Sequence, residues 1–170
     1  MSFTLHTASV PIFTRTLGQA LSWFDKAQAH AEARKFSPDS YLALRLSPDM
    51  LPFSRQIQIA SDTAKGAVAR LAGVEIPKWD DNEATLDELR ARIHKTIDFI
   101  ASAPAAGFDG AEAREIVIPT RVAGPRHFNG ASFLTDFALP NFYFHATTAY
   151  ALLRQAGVEL GKVDFLGKVG

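Results

Sequence analysis

The residue with the widest chemical reach in this chain is His145, set in the run Phe142-Tyr143-Phe144-His145-Ala146-Thr147-Thr148-Ala149-Tyr150, where both faces of a helix would be apolar or small. Helical period puts Asn141, His145, Thr148 and Leu152 on one stripe, so an amide, an imidazole and a hydroxyl can converge on the interior of a bundle. An imidazole with an ordinary pKa of about 6.5 can act there as a general base or as a ligand-binding group. The competing reading is a buried histidine satisfied by a neighbouring polar group. Gln56, Gln58, Asp62 and Lys65 form a second polar set on an earlier periodic segment. Asp62 and Lys65 are spaced for a surface ion pair, and Gln56 or Asp62 faces His145 depending on how that segment is rotated. The candidate pocket is therefore His145, Asn141, Thr148, Gln56, Gln58 and Asp62, with no catalytic role assigned to any of them.

Other patterns fail on spacing. Gly157-Val158-Glu159-Leu160-Gly161-Lys162 is one residue short of a phosphate loop, lacks the following Ser or Thr, and comes after a helix instead of a strand. Asp80-Asp81-Asn82-Glu83 has the acidity of a calcium loop, but Thr85 stands where the glycine is needed and Ala91 where the glutamate is needed. Ser132 lacks the second glycine of a nucleophile elbow. The five histidines, His6, His30, His94, His127 and His145, never fall three or four apart, which excludes a helix-borne imidazole pair. His30 and His94 are expected on exposed helix flanks and His127 on the surface of a hairpin. The absence of cysteine removes disulfides, thiolate catalysis and every Cys-based metal site. No metal or other cofactor is expected.

Four apolar stripes position these groups. The first runs from about Ser9 to Lys35 through Val10, Phe13, Leu17, Ala20, Phe24, Ala27 and Ala31. Ser47-Pro48-Asp49 reads as a capped start for the second, which carries Met50, Phe53, Ile57, Ala60, Ala64, Ala67 and Leu71 and stops at Gly73. A proline-marked linker from Val74 to Asn82 precedes a capping box at Thr85 and Glu88, which opens the third through Leu86, Leu89, Ile93, Ile97 and Ile100. The segment Arg114 to Phe133 pairs a β-branched run with Arg126-His127-Phe128 across Val122-Ala123-Gly124-Pro125 and predicts a small hairpin. A short helical stretch near Ser132 to Phe137 follows, and Pro140 is expected to open the fourth long helix, ending at Gly157. The pattern predicts an all-α fold, an antiparallel four-helix bundle with a small β-hairpin before the last helix, as one domain over residues 1–170.

Eighteen basic and 18 acidic side chains cancel, so no overall field favours nucleic acid or an anionic membrane. With 47% hydrophobic residues the chain can bury a core, yet no run approaches the roughly 20 apolar residues of a membrane span. The start, Met1 to Phe13, lacks the basic then apolar order of a secretory leader, and a cytoplasmic location is expected.

Several runs resemble a known family: Ser9-Val10-Pro11, Ser47-Pro48-Asp49-Met50-Leu51-Pro52, Gln56-Ile57-Gln58, Asp62-Thr63-Ala64-Lys65, Leu139-Pro140-Asn141-Phe142-Tyr143-Phe144-His145 and Gly161-Lys162-Val163-Asp164-Phe165-Leu166-Gly167. It is a domain-of-unknown-function family of bacteria and fungi within the DinB/YfiT-like superfamily. The resemblance implies a DinB-type bundle, often dimeric, with relatives that bind a divalent metal through three histidines, some of them thiol transferases or isomerases. That metal pattern takes one histidine from the second helix and a His-x-x-x-His pair from the last. Here Gln56 or Gln58 stands near the first position, and Asn141 stands four residues before His145. Neutral amides are poor zinc or nickel ligands beside imidazole. Three functions follow in order: a ligand-binding bundle with a degenerate metal site, a DinB-like enzyme that is metal-dependent or uses His145 as base, and a homodimer sealed by the apolar tail.

Overall fold

The computed structural model describes residues 3–120 and 124–167. The first stripe forms α1, Val10–Arg34, and all of its expected apolar residues except Val10 are buried. The helix ends because Lys35 adopts a left-handed conformation, φ 58°, and turns its N–H back to Ala31 and Glu32. After a 3₁₀ turn at Pro38–Ala43 comes α2, Phe53–Ala72.

The start of α2 differs from the expectation at Ser47. Ser47 spends its hydroxyl on the Asp49 carboxylate, 2.6 Å away, inside a turn, and Pro52 holds the chain extended until Phe53. Gly73, with φ 68°, closes the helix as expected. The third helix, α3, Leu86–Ser102, has the predicted reciprocal capping by Thr85 and Glu88. The hairpin is also present: β1, Glu115–Ile118, pairs antiparallel with β2, Arg126–Asn129, placing Ile116 opposite Phe128. Val122 and Ala123 of its expected turn lie outside the described residues.

The last long helix does not open at Pro140. The chain is already helical from α4, Gly130–Ser132, through a π-helical stretch, Phe133–Ala138, into α5, Leu139–Gln155. A proline has no N–H to donate to an earlier carbonyl. Here it falls where the wider π turn hands over to the α ladder, so the helix passes through it. A short α6, Lys162–Leu166, docks on α1 through Trp23, whose Nε1 donates to the Asp164 carbonyl at 2.8 Å and whose ring stacks on Phe165.

Side-chain pairs define the helix directions. Gln56 meets His145 and Thr63 meets Asn141, so α2 and α5 are antiparallel. Phe13 meets Phe142 and Trp23 meets Tyr150, so α1 and α5 run alike. Lys65 and Lys95 sit on the same indole and Asp62 meets Arg92, so α2 and α3 also run alike. The segment from Val74 to Thr85 is the long crossover that this order requires. Phe13, Trp23, Phe24, Phe53, Phe133 and Phe142 fill the core among aliphatic residues of all four long helices.

Candidate functional site

The α2–α5 seam carries two polar rungs. In the first, His145 Nδ1 lies 2.7 Å from Gln56 Oε1, while Gln56 Nε2 donates to the Leu51 carbonyl at 2.8 Å. The second contact settles the first. With the Gln56 amide nitrogen committed to a carbonyl, its oxygen faces the imidazole, so Nδ1 carries the proton and Nε2 holds a free lone pair. Gln56 is 1% exposed and His145 9%. Among the described residues Nε2 has no partner, yet it is not one of the polar atoms sealed from solvent. Burial holds the His145 pKa below its ordinary value, which keeps the ring neutral and Nε2 an acceptor at neutral pH.

In the second rung Asn141 Nδ2 donates to Thr63 Oγ1 at 2.8 Å. Thr148 turns its hydroxyl back to the Phe144 carbonyl of its own helix, 2.7 Å away. The three polar groups of the α5 stripe therefore do not converge: each is satisfied separately, and only Gln56 reaches His145. The cause is the antiparallel register, which sets Thr63, not Gln56, across from Asn141.

Gln58 and Asp62 belong to a different site, because they project from α2 toward α3 and the crossover. Gln58 accepts from Arg55 at 2.7 Å and donates to Glu83 at 2.7 Å. Asp62 lies 2.7 Å from Lys65 and 2.9 Å from Arg92. The expected Asp62–Lys65 pair forms with its acidic end at the surface and its basic end buried: the Lys65 side chain is 6% exposed and sits 4.2 Å over the Trp79 ring.

At the centre is Arg92, 2% exposed, whose Nη1 donates to Glu83 at 2.8 Å and to the Asp80 carbonyl at 3.0 Å. Its Nη2 is 2.9 Å from both Asp62 and Asp81, as ion contacts whose N–H bonds are not aligned on either oxygen. Burial pushes the Asp81 and Glu83 carboxyls upward, but it is outweighed by Arg55 and Arg92 at Asp81 and by hydrogen bonds from Arg92 and Gln58 at Glu83, and both are held below the ordinary carboxylate range. This network fastens the crossover to the bundle. It was not anticipated, although one signal was present: Arg92 interrupts the apolar positions of the third stripe between Leu89 and Thr96, where a charge needs buried partners.

The groove beside His145 is walled by its neighbours and not by the imidazole itself. Phe144 and Thr148 line it together with Leu46 and Tyr143, and it is open, apolar and about 470 Å³ in volume on the outer side of α5. His94 and His127 are exposed as expected. His30 is not, being half-buried with Nδ1 2.6 Å from the Tyr41 hydroxyl.

The positions that the resemblance sets against a metal, Gln56 or Gln58, Asn141 and His145, hold one imidazole and two amides here, and the amides are committed to other protein groups. Among the described residues no group of three or more His, Cys, Asp or Glu side chains is arranged to hold a metal ion. This donor set does not fit a divalent metal.

A crossover bundle with a polar α2–α5 seam is a DinB-type architecture. A solved structure of a DinB family member protein from Shewanella denitrificans has a TM-score of 0.91 and 42% identity to this chain, covering 97% of it and 93% of that chain. The model of the family described as "Domain of unknown function (DUF1993)" matches residues 5–166, and the chain belongs to that family. No curated protein matches it. Among the described residues no helix is long and apolar enough to cross a membrane.

Proposed function

We propose that this chain is a small-ligand-binding bundle in which His145 Nε2 accepts a hydrogen bond from a ligand lying against α5, an amide–imidazole pair having replaced the metal centre of its relatives. The observation that carries this reading is the Gln56–His145 hydrogen bond, with Gln56 in turn tied to Leu51. A buried imidazole satisfied only for structure would leave no ring nitrogen open. Here the tautomer is set from inside the protein and the outward nitrogen is left as an acceptor. The same nitrogen has the protonation state of a general base, but among the described residues no acid or nucleophile is placed beside it, so binding is favoured over catalysis. A metal-dependent thiol transferase or isomerase is disfavoured by the two amides.

The test uses p-cresol, an apolar probe with one hydroxyl donor, against toluene, which has none. With ¹⁵N-histidine-labelled protein, p-cresol is expected to shift the Nε2 resonance of His145 and toluene is not. Equal effects of the two probes, or no response at Nε2, would refute the reading. For the metal, dialysis after zinc or nickel loading should leave only traces. Near-stoichiometric retention that His145→Ala abolishes would overturn that part.

A second reading, self-association through the tail, draws on α6, where Val163 is 76% and Leu166 42% exposed. Sedimentation velocity should then show a dimer that Val163→Asp converts to monomer. A wild-type monomer at high concentration refutes it.

A further inference from the structure

From Leu139 to Leu153 α5 has no charged side chain, yet it shows Tyr143 at 38% and Phe144 at 57% exposure. Two concavities flank this face and share Tyr143. The larger is the groove of about 470 Å³ that runs past Phe144 and Ala151 to Leu46. The smaller, of about 120 Å³, lies between α5, α1 and α6 and is walled by Ile12, Phe165, Leu166 and Arg15. From Tyr143 to Ala151 the helix rises about 12 Å, so the larger concavity is elongated along α5 and meets the smaller one at Tyr143, the two forming a trough with the Tyr143 ring between its parts.

Among the described residues Arg15 is the one charged residue lining either concavity. It has no ion pair or hydrogen bond among the described residues. Among the described residues no carboxylate lines the trough to compete for it. The Tyr143 hydroxyl, at the junction, likewise has no partner among the described residues. A guanidinium presents a fork of N–H donors matched to a carboxylate, and an apolar chain gains by leaving water for an apolar wall. A free cation at one end of an otherwise uncharged trough is complementary to a molecule with an anionic head and a hydrocarbon tail.

We infer that this face binds a single-chain amphiphile with a carboxylate head, the head at Arg15 and Tyr143 and the chain along Phe144 and Ala151 toward Leu46. The inference names a ligand class for the helix that carries His145, and so rests on the reading of α5 as the ligand face.

Titration calorimetry with octanoate, decanoate and decanol, all below their micelle-forming concentrations, tests it on the full chain. Decanoate should bind at least tenfold more tightly than decanol, and affinity should rise toward about fourfold per methylene from octanoate to decanoate, the value for full burial of each group. Arg15→Gln should erase the preference for decanoate over decanol, and Arg15→Lys should restore part of it. Arg15 is exposed, so neither change should alter folding. Equal binding of decanoate and decanol to wild type, or a preference that survives Arg15→Gln, would overturn the inference. So would a dimer that buries Tyr143 and Phe144 and takes up no decanoate. The His145 resonance separates this result from the previous proposal. Arg15-dependent decanoate binding with an unmoved p-cresol response at Nε2 leaves the amphiphile site standing and removes the imidazole contact. A p-cresol response at Nε2 without decanoate binding does the reverse.

Discussion

Replacing Gln56 with leucine keeps the side-chain volume but takes away the only acceptor for His145 Nδ1–H. At a residue 9% exposed, water cannot readily substitute, and a buried donor without a partner costs about 1–3 kcal/mol. The ring has one escape, moving its proton to the outward nitrogen, which should hold the loss near the lower end of that range. Gln56→Leu is therefore expected to lose about 1–2 kcal/mol in urea unfolding at pH 7.5 and to convert His145 from the Nδ1–H to the Nε2–H tautomer by ¹⁵N NMR. It should also abolish the p-cresol response, because Nε2 becomes a donor. Gln56→Glu tests the electrostatics through its sign. In the wild type burial lowers the folded pKa of His145, so the unfolded chain takes up the proton first, and stability falls as pH drops from about 6.5 through the folded value. A carboxylate at position 56 should raise the folded pKa above the unfolded one. Its stabilisation would then be complete below about pH 6.5 and lost as pH rises through the folded pKa. A Gln56→Leu variant within about 0.5 kcal/mol of wild type that retains the Nδ1–H tautomer would refute the reasoning.

Arg92→Met should cost about 2–3 kcal/mol near neutral pH. This is the low side of the usual cost of breaking a buried ion pair, because Asp62 and Asp81 are each about a third exposed and solvent screens part of the loss. The penalty should shrink as pH falls through the depressed folded pKa values of Asp81 and Glu83, and a denaturation series from pH 3 to pH 7 with a flat difference would contradict this. At Gly130 any Cβ would overlap the Ala111 carbonyl oxygen, so Gly130→Ala should lower the thermal midpoint by the equivalent of about 1–3 kcal/mol or more, and an unchanged midpoint would mean that the approach of these backbones is looser than described. Thr85→Ala should cost about 1 kcal/mol through loss of the α3 cap while Thr85→Ser stays near wild type, and equal stability of the two variants in urea would argue against the cap.

By itself the sequence determined the helices, their buried stripes, the capping box at Thr85 and Glu88, the hairpin, and the burial of His145, because all of these depend on groups a few residues apart whose spacing matches a helical or strand period. The family followed as well, since its motifs are contiguous runs. The start of α2 was misplaced because Ser47-Pro48-Asp49 satisfies the local rules for both a helix start and a turn, and Pro52, four residues beyond Pro48, decides between them. Only the tertiary structure decided which polar residues meet. Gln56, Gln58 and Asp62 lie within two turns of one helix, yet Gln56 faces α5 while the others face Arg92 and the crossover. Gln58 and Asp62 lie about 160° and 120° around the helix from Gln56, so a rotation of that size would have exchanged them, and local periodicity does not choose between rotations. The choice comes from long-range packing: the core takes Phe53, Ile57 and Ala60, the crossover supplies Asp81 and Glu83 to neutralise Arg92, and Gln56 is left on the seam between the Leu51 carbonyl and the His145 imidazole.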